Sequence, residues 1–389
     1  MERDILLLAV FRASRSFFFG YTAFIIPLYL KGAGFSIVYI GIYSFVATTF
    51  SGVLVLLSGF LGDIFSRKKT LAVLSSLPVF LFATLLVTTN QSVILVTSLA
   101  GVAFTAVGSG AGGGPVAPLQ TSMIADRVEY GRTRVYSIFT IISTLFAMVG
   151  GGFSSFVINY AANYYTILFA TALALDALSV VVVLFLKEVR IPGKKAKAAK
   201  EITHFTSGRT VAKIGLSGAT GSFGLGFIIP LIAVWMATKG LTSLDVSIIF
   251  TFSYVATSIG SYFSGNLERR YGAIPTIFTL RIIASGILFI FPFVPGLIIG
   301  VLYIMRSALY QMTIPLRQSF VMTLYPPNER ARGMGLTTMA RRVPYGVSTT
   351  LGGILLAGGA IVTLFTLSGA ISLLDPILYY AFFRKGGES

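Results

Sequence analysis

Two halves of the chain carry matching sequence segments about 200 residues apart. Residues 24–28 and residues 227–231 both read Phe-Ile-Ile-Pro-Leu. Further matches share an offset of 200 positions and pair Pro115 with Pro315, Glu129 with Glu329, and Arg132 with Arg332. A repeat of this length exceeds the unit of a solenoid, so it indicates that a whole bundle of secondary-structure elements was duplicated.

The composition puts this duplicated bundle in a membrane. Of the 389 residues, 55% are hydrophobic and 11% are charged, whereas soluble proteins carry roughly 25% charged residues. Apolar runs such as residues 71–87 and 177–186 exceed what a water-soluble core can bury. Backbone groups in lipid must be hydrogen-bonded internally, which favours helices. We therefore predict an all-α integral membrane protein with a working site where the two copies meet.

A helix of roughly 20 residues crosses the hydrocarbon region of a bilayer. On this basis we predict twelve transmembrane helices, spans one to twelve, at about residues 7–30, 37–62, 70–89, 93–122, 134–160, 164–187, 211–238, 244–266, 274–293, 296–324, 332–359 and 361–383. The repeat divides them into an N-terminal six-helix bundle at 1–190, a linker at 191–208 and a C-terminal six-helix bundle at 209–389.

Basic residues are concentrated in alternate loops, and this pattern predicts the orientation. The opposite set of loops holds Lys31 and Lys239. By the positive-inside rule, both termini and the basic linker are expected in the cytoplasm, with the chain crossing the cell membrane many times. We expect the first apolar segment to be retained as a helix rather than cleaved as a signal peptide. The same distribution accounts for the net charge of +17 without a nucleic-acid partner.

The residue inventory excludes several kinds of chemistry. The chain has no cysteine and a single histidine, His204, so we expect no disulfide, zinc site or haem. It has no P-loop and no soluble domain to hold a nucleotide. We predict no catalytic residues, no metal and no cofactor, and hence a protein that is not an enzyme. The expected partners are the lipid bilayer and a small-molecule substrate, with a coupling proton or ion as a further candidate, and the expected state is a monomer.

One loop carries a recognisable motif. Residues 59–71 read Gly-Phe-Leu-Gly-Asp-Ile-Phe-Ser-Arg-Lys-Lys-Thr-Leu, and a degraded copy lies at 265–272. The loop resembles the signature of the major facilitator superfamily, G-x-L-a-D-r-x-G-R-K-x-x-l, with Ser66 in place of the second glycine. The resemblance extends over the whole chain. It implies twelve helices in two pseudo-symmetric bundles and secondary active transport by alternating access.

The resemblance also implies a cytoplasmic gate. In the family, the acid of this loop pairs across the two halves with a basic residue of span eleven. A second acid, at the end of span four, joins the cluster with a basic partner. A surface cluster worth at most ~1 kcal/mol is the alternative interpretation. The candidate gating residues are Gly59, where helices approach closely, the acids Asp63 and Asp126, and the basic residues Arg67, Arg341 and Arg342.

The glycine-rich stretch at 108–115 resembles the span-four motif of the family. Drug–proton antiporters carry an arginine four residues before its first glycine, and that position here is Phe104. The difference argues against proton-coupled multidrug efflux, which stays as the alternative function. A non-transporting membrane receptor or a channel is a more distant rival, because a duplicated bundle with a gating loop does not predict a continuous pore.

Arginines within the predicted spans indicate the substrate. Each costs ~2.5–3.5 kcal/mol on insertion scales. Arg306 is near mid-membrane, and its first-half counterpart is Ala106. Asymmetric arginines facing one cavity favour an anionic or amphipathic solute. The candidate substrate-binding residues are Arg15, Arg306, Arg317, Tyr21 and Tyr310.

Other roles for these arginines stay open. Arg12, Arg15 and Arg317 could instead extend to the cytoplasmic interface. We expect Arg281, on outer span nine, to bridge helices.

Two acids lie deep in the outer spans. Asp176 on span six and Asp375 on span twelve each follow a leucine at matching positions of the repeat. They are candidate proton carriers. Their pseudo-symmetric positions favour a packing role in which each acid pairs with a neighbouring helix.

Overall fold

The computed structural model describes residues 2–64, 66–102, 114–125, 127, 132–188, 207–325 and 330–384. These residues are almost entirely helical and contain no β-strand. The first half contributes α1 (Glu2–Gly32), α2 (Ile37–Ile64), α3 (Arg67–Val87), α4 (Gln91–Thr97), α5 (Ala117–Ala125), α6 (Arg132–Tyr160) and α7 (Tyr164–Leu184). The second half contributes α8 (Gly208–Gly226), α9 (Ile232–Thr238), α10 (Ser243–Tyr271), α11 (Ala273–Ile290), α12 (Gly296–Leu324), α13 (Arg330–Ala357) and α14 (Ile361–Phe383).

The predicted all-α membrane fold is confirmed. In the described part of the chain, 10 helical segments are long and apolar enough to cross a membrane, and each coincides with a predicted span. Predicted span four includes residues 103–113, which lie outside the described residues, between α4 and α5. Predicted span eleven corresponds to α13, a 28-residue helix that is too polar to be counted among these segments. Four arginines of α13 explain its polarity: Arg330, Arg332, Arg341 and Arg342.

Local sequence signals account for the helix ends. Asn90 caps α4, and its side chain accepts hydrogen bonds from the backbone N–H groups of Ser92 and Val93. Thr242 and Asp245 form a capping box at the start of α10, which satisfies backbone donors that a helix start leaves free. Gly359, at φ +73°, separates α13 from α14, since glycine adopts this left-handed conformation without steric cost.

The repeated Phe-Ile-Ile-Pro-Leu segment has two different conformations. In the first half, Pro27 lies inside the continuous helix α1. In the second half, Pro230 lies in a 3₁₀ turn, Ile229–Leu231, that separates α8 from α9. Proline removes one helical hydrogen bond in both copies. Gly224 and Gly226, directly before the second copy, weaken the helix further because glycine has a low helix propensity.

The chain divides into two compact units. Unit 1 comprises Met1–Thr22, Phe50–Ala103 and Ser109–Thr206, and unit 2 comprises Ala23–Thr49, Phe104–Gly108 and Ser207–Ser389. The C-terminal part of α1 and the first part of α2 therefore group with second-half helices. The division at residues 190 and 208 stays a prediction.

Each unit has its own helix packing. In unit 1, α3 packs along α7. In unit 2, α8 packs against α13 and α14, α10 against α12, and α11 against α12 and α14. Exposed large side chains such as Phe80, which is 67% exposed, and Tyr262, which is 79% exposed, lie on outer surfaces. Apolar side chains are stable there when lipid is the solvent.

Glycines permit close helix crossings in both units. A Cβ atom at Gly150 of α6 would overlap the carbonyl oxygen of Phe17 on α1. A Cβ atom at Gly352 of α13 would overlap the carbonyl oxygen of Phe227, directly after α8. Small residues let membrane helices pack at backbone distance in this way. Spans one and five thus cross much as spans seven and eleven do, consistent with duplication.

Candidate functional site

The deep acid of unit 1 forms a buried ion pair. Nη1 of Arg15 on α1 lies 2.6 Å from Oδ1 of Asp176 on α7, and both side chains are almost completely buried. Ser179, one turn along α7, donates to the same oxygen at 3.4 Å. Oδ2 of Asp176 is buried without a hydrogen-bond partner. The carboxylate is therefore paired, but only through one of its two oxygens.

The deep acid of unit 2 binds two arginines. Nη1 of Arg317 on α12 lies 2.9 Å from Oδ1 of Asp375 on α14, and Nη1 of Arg281 on α11 forms an ion pair with Oδ2. Arg281 also donates through Nε to Thr313 at 3.0 Å, and Arg317 donates to Ser217 of α8 at 3.1 Å. Four helices meet at this cluster, and Arg281 bridges helices as expected. One carboxylate with two guanidinium groups carries a net positive charge.

Arg306 on α12 differs from these paired arginines. The residue is 4% exposed, and its buried Nε, like Nε of Arg15 and Nη2 of Arg281, has no hydrogen-bond partner. Its electrostatic partners in the described part of the chain are tyrosines, namely Tyr303, Tyr310 and Tyr345, and not carboxylates. Its guanidinium carbon lies 5.9 Å from the ring centroid of Tyr310. Because a buried cation is stable only when paired, this arrangement can receive an anionic group.

Arg341 on α13 lies at the edge of the Asp375 cluster. Its Nε is 3.4 Å from the hydroxyl of Ser222 on α8, which is a long hydrogen bond to a neutral group. It also interacts electrostatically with Tyr310, with Asp375 and with the paired arginines. Arg342, the next residue, is half-buried.

The gate proposed from the signature loop stays a prediction. Gly59 and Asp63 lie in α2, but their side-chain surroundings and the whole of Asp126 lie outside the described residues. Nη1 of Arg67 donates to the backbone carbonyl of Ser122 at 3.4 Å. Ser66, which stands where the family signature has glycine, caps α3 by accepting a hydrogen bond from the Lys69 N–H.

The remaining substrate-binding candidates, Tyr21 and Tyr310, and also Arg12, each make contacts inside their own unit. Tyr21 is fully buried and donates its hydroxyl to the carbonyl of Leu168 at 3.0 Å, which ties α1 to α7. The guanidinium carbon of Arg281 lies 4.6 Å from the ring centroid of Tyr310. Tyr310 therefore borders both Arg306 and the Asp375 cluster. Arg12 donates to Ser143 of α6 and to Gln120 of α5 at 3.0 Å.

Sequence reasoning missed two features. Tyr303 and Tyr345 face Arg306, and the spacing of residues 303, 306 and 310 along one helix face was a usable signal. Arg127 forms an ion pair with Asp4 at 3.1 Å and donates to the carbonyl of Lys187 at 2.5 Å. These contacts tie the start of α1 to the ends of α5 and α7. In the described part of the chain, no cluster of three or more metal-binding residues is present.

Comparison with known proteins identifies the family. The family model of the Major Facilitator Superfamily matches residues 6–349 and 214–387. An uncharacterised MFS-type transporter of Methanocaldococcus jannaschii is 25% identical over 174 residues, which are 44% of this chain. The match covers 45% of that relative, less than half of its length.

Solved structures show the same fold. A mutant form of the nucleoside transporter NupG matches 98% of this chain and 99% of its own, with a TM-score of 0.74 at 15% identity. A D-xylose–proton symporter matches 97% of this chain and 98% of its own, with a TM-score of 0.76 at 14% identity. The chain belongs to the Major Facilitator Superfamily, a family of membrane transporters, and it has the fold of that family.

Proposed function

We propose that the chain is a secondary transporter that moves a small organic solute bearing an anionic group across the cell membrane by alternating access. Membership in the superfamily supports secondary transport. The duplicated bundle supports a site between two halves that rock against each other. The distribution of basic residues supports cytoplasmic termini. A monomer suffices for this mechanism because one chain supplies both bundles.

The main support for an anionic substrate is the set of neighbours around Arg306. Arg15, Arg281 and Arg317 each bind a carboxylate of the protein. Arg306 is buried to a similar degree and has only aromatic neighbours among its electrostatic partners. An intramembrane arginine costs ~2.5–3.5 kcal/mol, so retaining one without a protein acid requires another source of negative charge. A substrate carboxylate or phosphate provides it through charge-assisted hydrogen bonds.

The gate is proposed from the family signature. Asp63, with Arg341 or Arg342, would hold the cytoplasmic side closed in the outward-open state and separate in the inward-open state. Charge biases alternating access only when a contact differs between the states. Asp63→Asn should therefore shift the population inward while substrate binding is retained. Spin-label distances between α2 and α13 measure the shift, and an unchanged distance distribution would contradict the clasp.

Of the two candidate proton carriers, Asp176 is favoured over Asp375. Oδ2 of Asp176 lacks a hydrogen-bond partner, whereas both oxygens of Asp375 accept from arginines. Two cations stabilise the charged carboxylate more than one does. The charged groups near Asp176 are Arg15, which it binds, and Arg12, which interacts electrostatically with Arg15. Asp176→Asn should remove the stimulation of uptake by a proton gradient while substrate exchange continues.

The anionic-substrate proposal is tested in two stages. Purified protein is screened by thermal shift against organic anions, neutral metabolites and lipophilic cations, because a ligand of the folded state raises its melting temperature. The stabilising compounds are then assayed for exchange in proteoliposomes. Arg306→Gln should abolish exchange and leave membrane insertion intact. Arg270→Gln, which removes one exposed charge at the end of α10, is the matched control.

Two results would overturn the proposal. Normal exchange by the Arg306→Gln protein would remove the role of this arginine. Stabilisation by lipophilic cations alone would favour multidrug efflux instead.

A further inference from the structure

The charges of unit 2 are unbalanced. Arg281, Arg306, Arg317 and Arg341 each interact electrostatically with Tyr310. Asp375 interacts with Arg281, Arg317 and Arg341 and is the single carboxylate among the electrostatic partners of the four arginines in the described part of the chain. Asp375 is bonded to Arg281 and Arg317 through both of its oxygens. Two guanidinium groups, those of Arg306 and Arg341, therefore have no carboxylate bonded to them among the described residues.

Arg306 on α12 and Arg341 on α13 share Tyr310 as an electrostatic neighbour. Arg306 and Tyr310 are one turn apart on α12, and Arg341 and Tyr345 are one turn apart on α13. Arg306 interacts electrostatically with Tyr345, and Arg341 interacts with Tyr310. The guanidinium carbon of Arg306 lies 5.9 Å from the ring centroid of Tyr310, which places Tyr310 in the neighbourhood of both arginines.

The described residues supply few competing partners to either arginine. Nε of Arg306 has no hydrogen-bond partner, and Arg341 has the long contact to the hydroxyl of Ser222. Tyr310 and Tyr345 are half-buried. A ligand with one negative charge would neutralise one cation and leave the other unpaired in a medium of low polarity, where an unpaired charge is costly. A ligand with two negative charges neutralises both.

We propose that the substrate of this site is a dianion, a short dicarboxylate or a phosphate monoester, bound between Arg306 and Arg341 with Tyr310 and Tyr345 beside it. This inference rests on the proposed function and adds the charge of the substrate. A dicarboxylate would contact one arginine with each end. A phosphate monoester would draw both guanidinium groups to one phosphate.

The first test uses the unmodified full-length protein in detergent, with binding measured by calorimetry. Succinate is compared with butyrate, which has the same chain length and one carboxylate, and glucose 6-phosphate is compared with glucose. Inorganic phosphate is the third probe. A charge-assisted hydrogen bond contributes about 1.5–3 kcal/mol, so a dianion should bind about 10- to 100-fold more tightly than its matched partner. Tighter binding of succinate identifies the dicarboxylate class, and tighter binding of glucose 6-phosphate and phosphate identifies the phosphate class.

The second test assigns the two charges to the two arginines. Arg341→Gln should reduce dianion affinity by about 10-fold or more and leave butyrate affinity within about twofold. Arg341→Lys should restore most of the preference for the dianion. Arg306→Gln should weaken dianion and monoanion alike. Arg270→Gln again controls for the loss of one positive charge, and size-exclusion profiles confirm that each variant is folded.

The outcomes separate this inference from the proposed function. If succinate and butyrate bind equally and glucose 6-phosphate binds no better than glucose, the dianion is excluded while an anionic substrate at Arg306 survives. If no dianionic probe binds, or if Arg341→Gln weakens succinate and butyrate equally, the inference is also overturned. If Arg306→Gln binds every probe as the unmodified protein does, both the proposed function and this inference fail.

Discussion

The Asp176 site of unit 1 and the Asp375 site of unit 2 occupy matching positions of a duplicated sequence but differ in charge. Asp176 binds Arg15 through one oxygen and leaves the other without a partner. Asp375 binds Arg281 and Arg317 through both oxygens. The first site is neutral and incompletely hydrogen-bonded, whereas the second carries a net positive charge and joins four helices.

Under the proposed function, the two sites have different tasks. A carboxylate with a free oxygen and one cationic partner is suited to gaining and losing a proton. A carboxylate held by two cations remains charged and is suited to holding helices together. The surplus arginines of unit 2 are then available to an anionic ligand. Four predictions compare the two units, beginning with the largest expected effect on stability.

The largest effect is expected from Asp375→Asn. Breaking a buried pair by removing one partner costs about 3–5 kcal/mol, and this change leaves two buried guanidinium groups without their carboxylate. The melting temperature and the yield of folded protein should fall sharply. Asp375→Glu, which keeps the charge, is the control. A melting temperature within a degree of the unmodified protein would show that the cluster does not hold the helices together.

Asp176→Asn should destabilise less, near the lower end of about 3–5 kcal/mol, because one arginine loses its partner rather than two. Combining Asp176→Asn with Arg15→Met should recover much of the stability, since apolar replacement of a whole buried pair is often neutral. Thermal unfolding of the single and double variants measures the recovery. An additive loss in the double variant would mean that the two side chains stabilise through separate contacts.

The two close helix crossings should respond alike. Gly150→Ala and Gly352→Ala each place a Cβ atom against a backbone carbonyl, that of Phe17 or that of Phe227. Backbone cannot move aside as a side chain can, so each change should cost about 1–3 kcal/mol. Gly265→Ala, at a position where no neighbouring atom lies within 4 Å of the added Cβ, is the control. A large loss at one crossing and none at the other would show that the halves are not packed equivalently.

The smallest effect is expected from Tyr21→Phe. The variant loses one hydrogen bond, from the hydroxyl to the Leu168 carbonyl. Hydrogen bonds between membrane helices contribute about 0.6 kcal/mol on average and about 1.7 kcal/mol at most. We expect a slightly lower melting temperature and unchanged substrate affinity. A large loss of affinity with unchanged stability would make Tyr21 a substrate-binding residue instead.

The membrane fold was readable from the sequence because lipid imposes strong local rules. Helix length, apolar composition and breakers such as Gly359 and Asn90 depend on short stretches of chain, and the 10 segments that can span a membrane agree with the predicted ones. The signature loop and the repeat were enough to recognise the family. The polar helix α13 was predicted as a span along with the others, although its arginines weaken the hydropathy signal.

The site was only partly readable. Composition and depth drew attention to Arg15, Arg306 and Arg317, but nothing local says which buried arginine meets an acid. Asp176, which binds Arg15, lies 161 positions away in the sequence, and Asp375, which binds Arg317, lies 58 positions away. The presence of a deep acid in each half was visible in the sequence. The number of arginines around each acid depends on how the helices pack.

The sequence by itself determined that this chain spans a membrane as helices, that its two halves are related, and that it belongs to a transporter family. These properties follow from periodicity, composition and motif, which act over short distances. Only the tertiary structure decided which copy of Phe-Ile-Ile-Pro-Leu breaks its helix and which arginines bind a carboxylate among the described residues. Identical segments differ because neighbouring helices and glycines differ, and the partner of a buried charge is set by residues distant in sequence. Electrostatic pairing inside a bilayer is a property of packed helices, so a single helix cannot specify it.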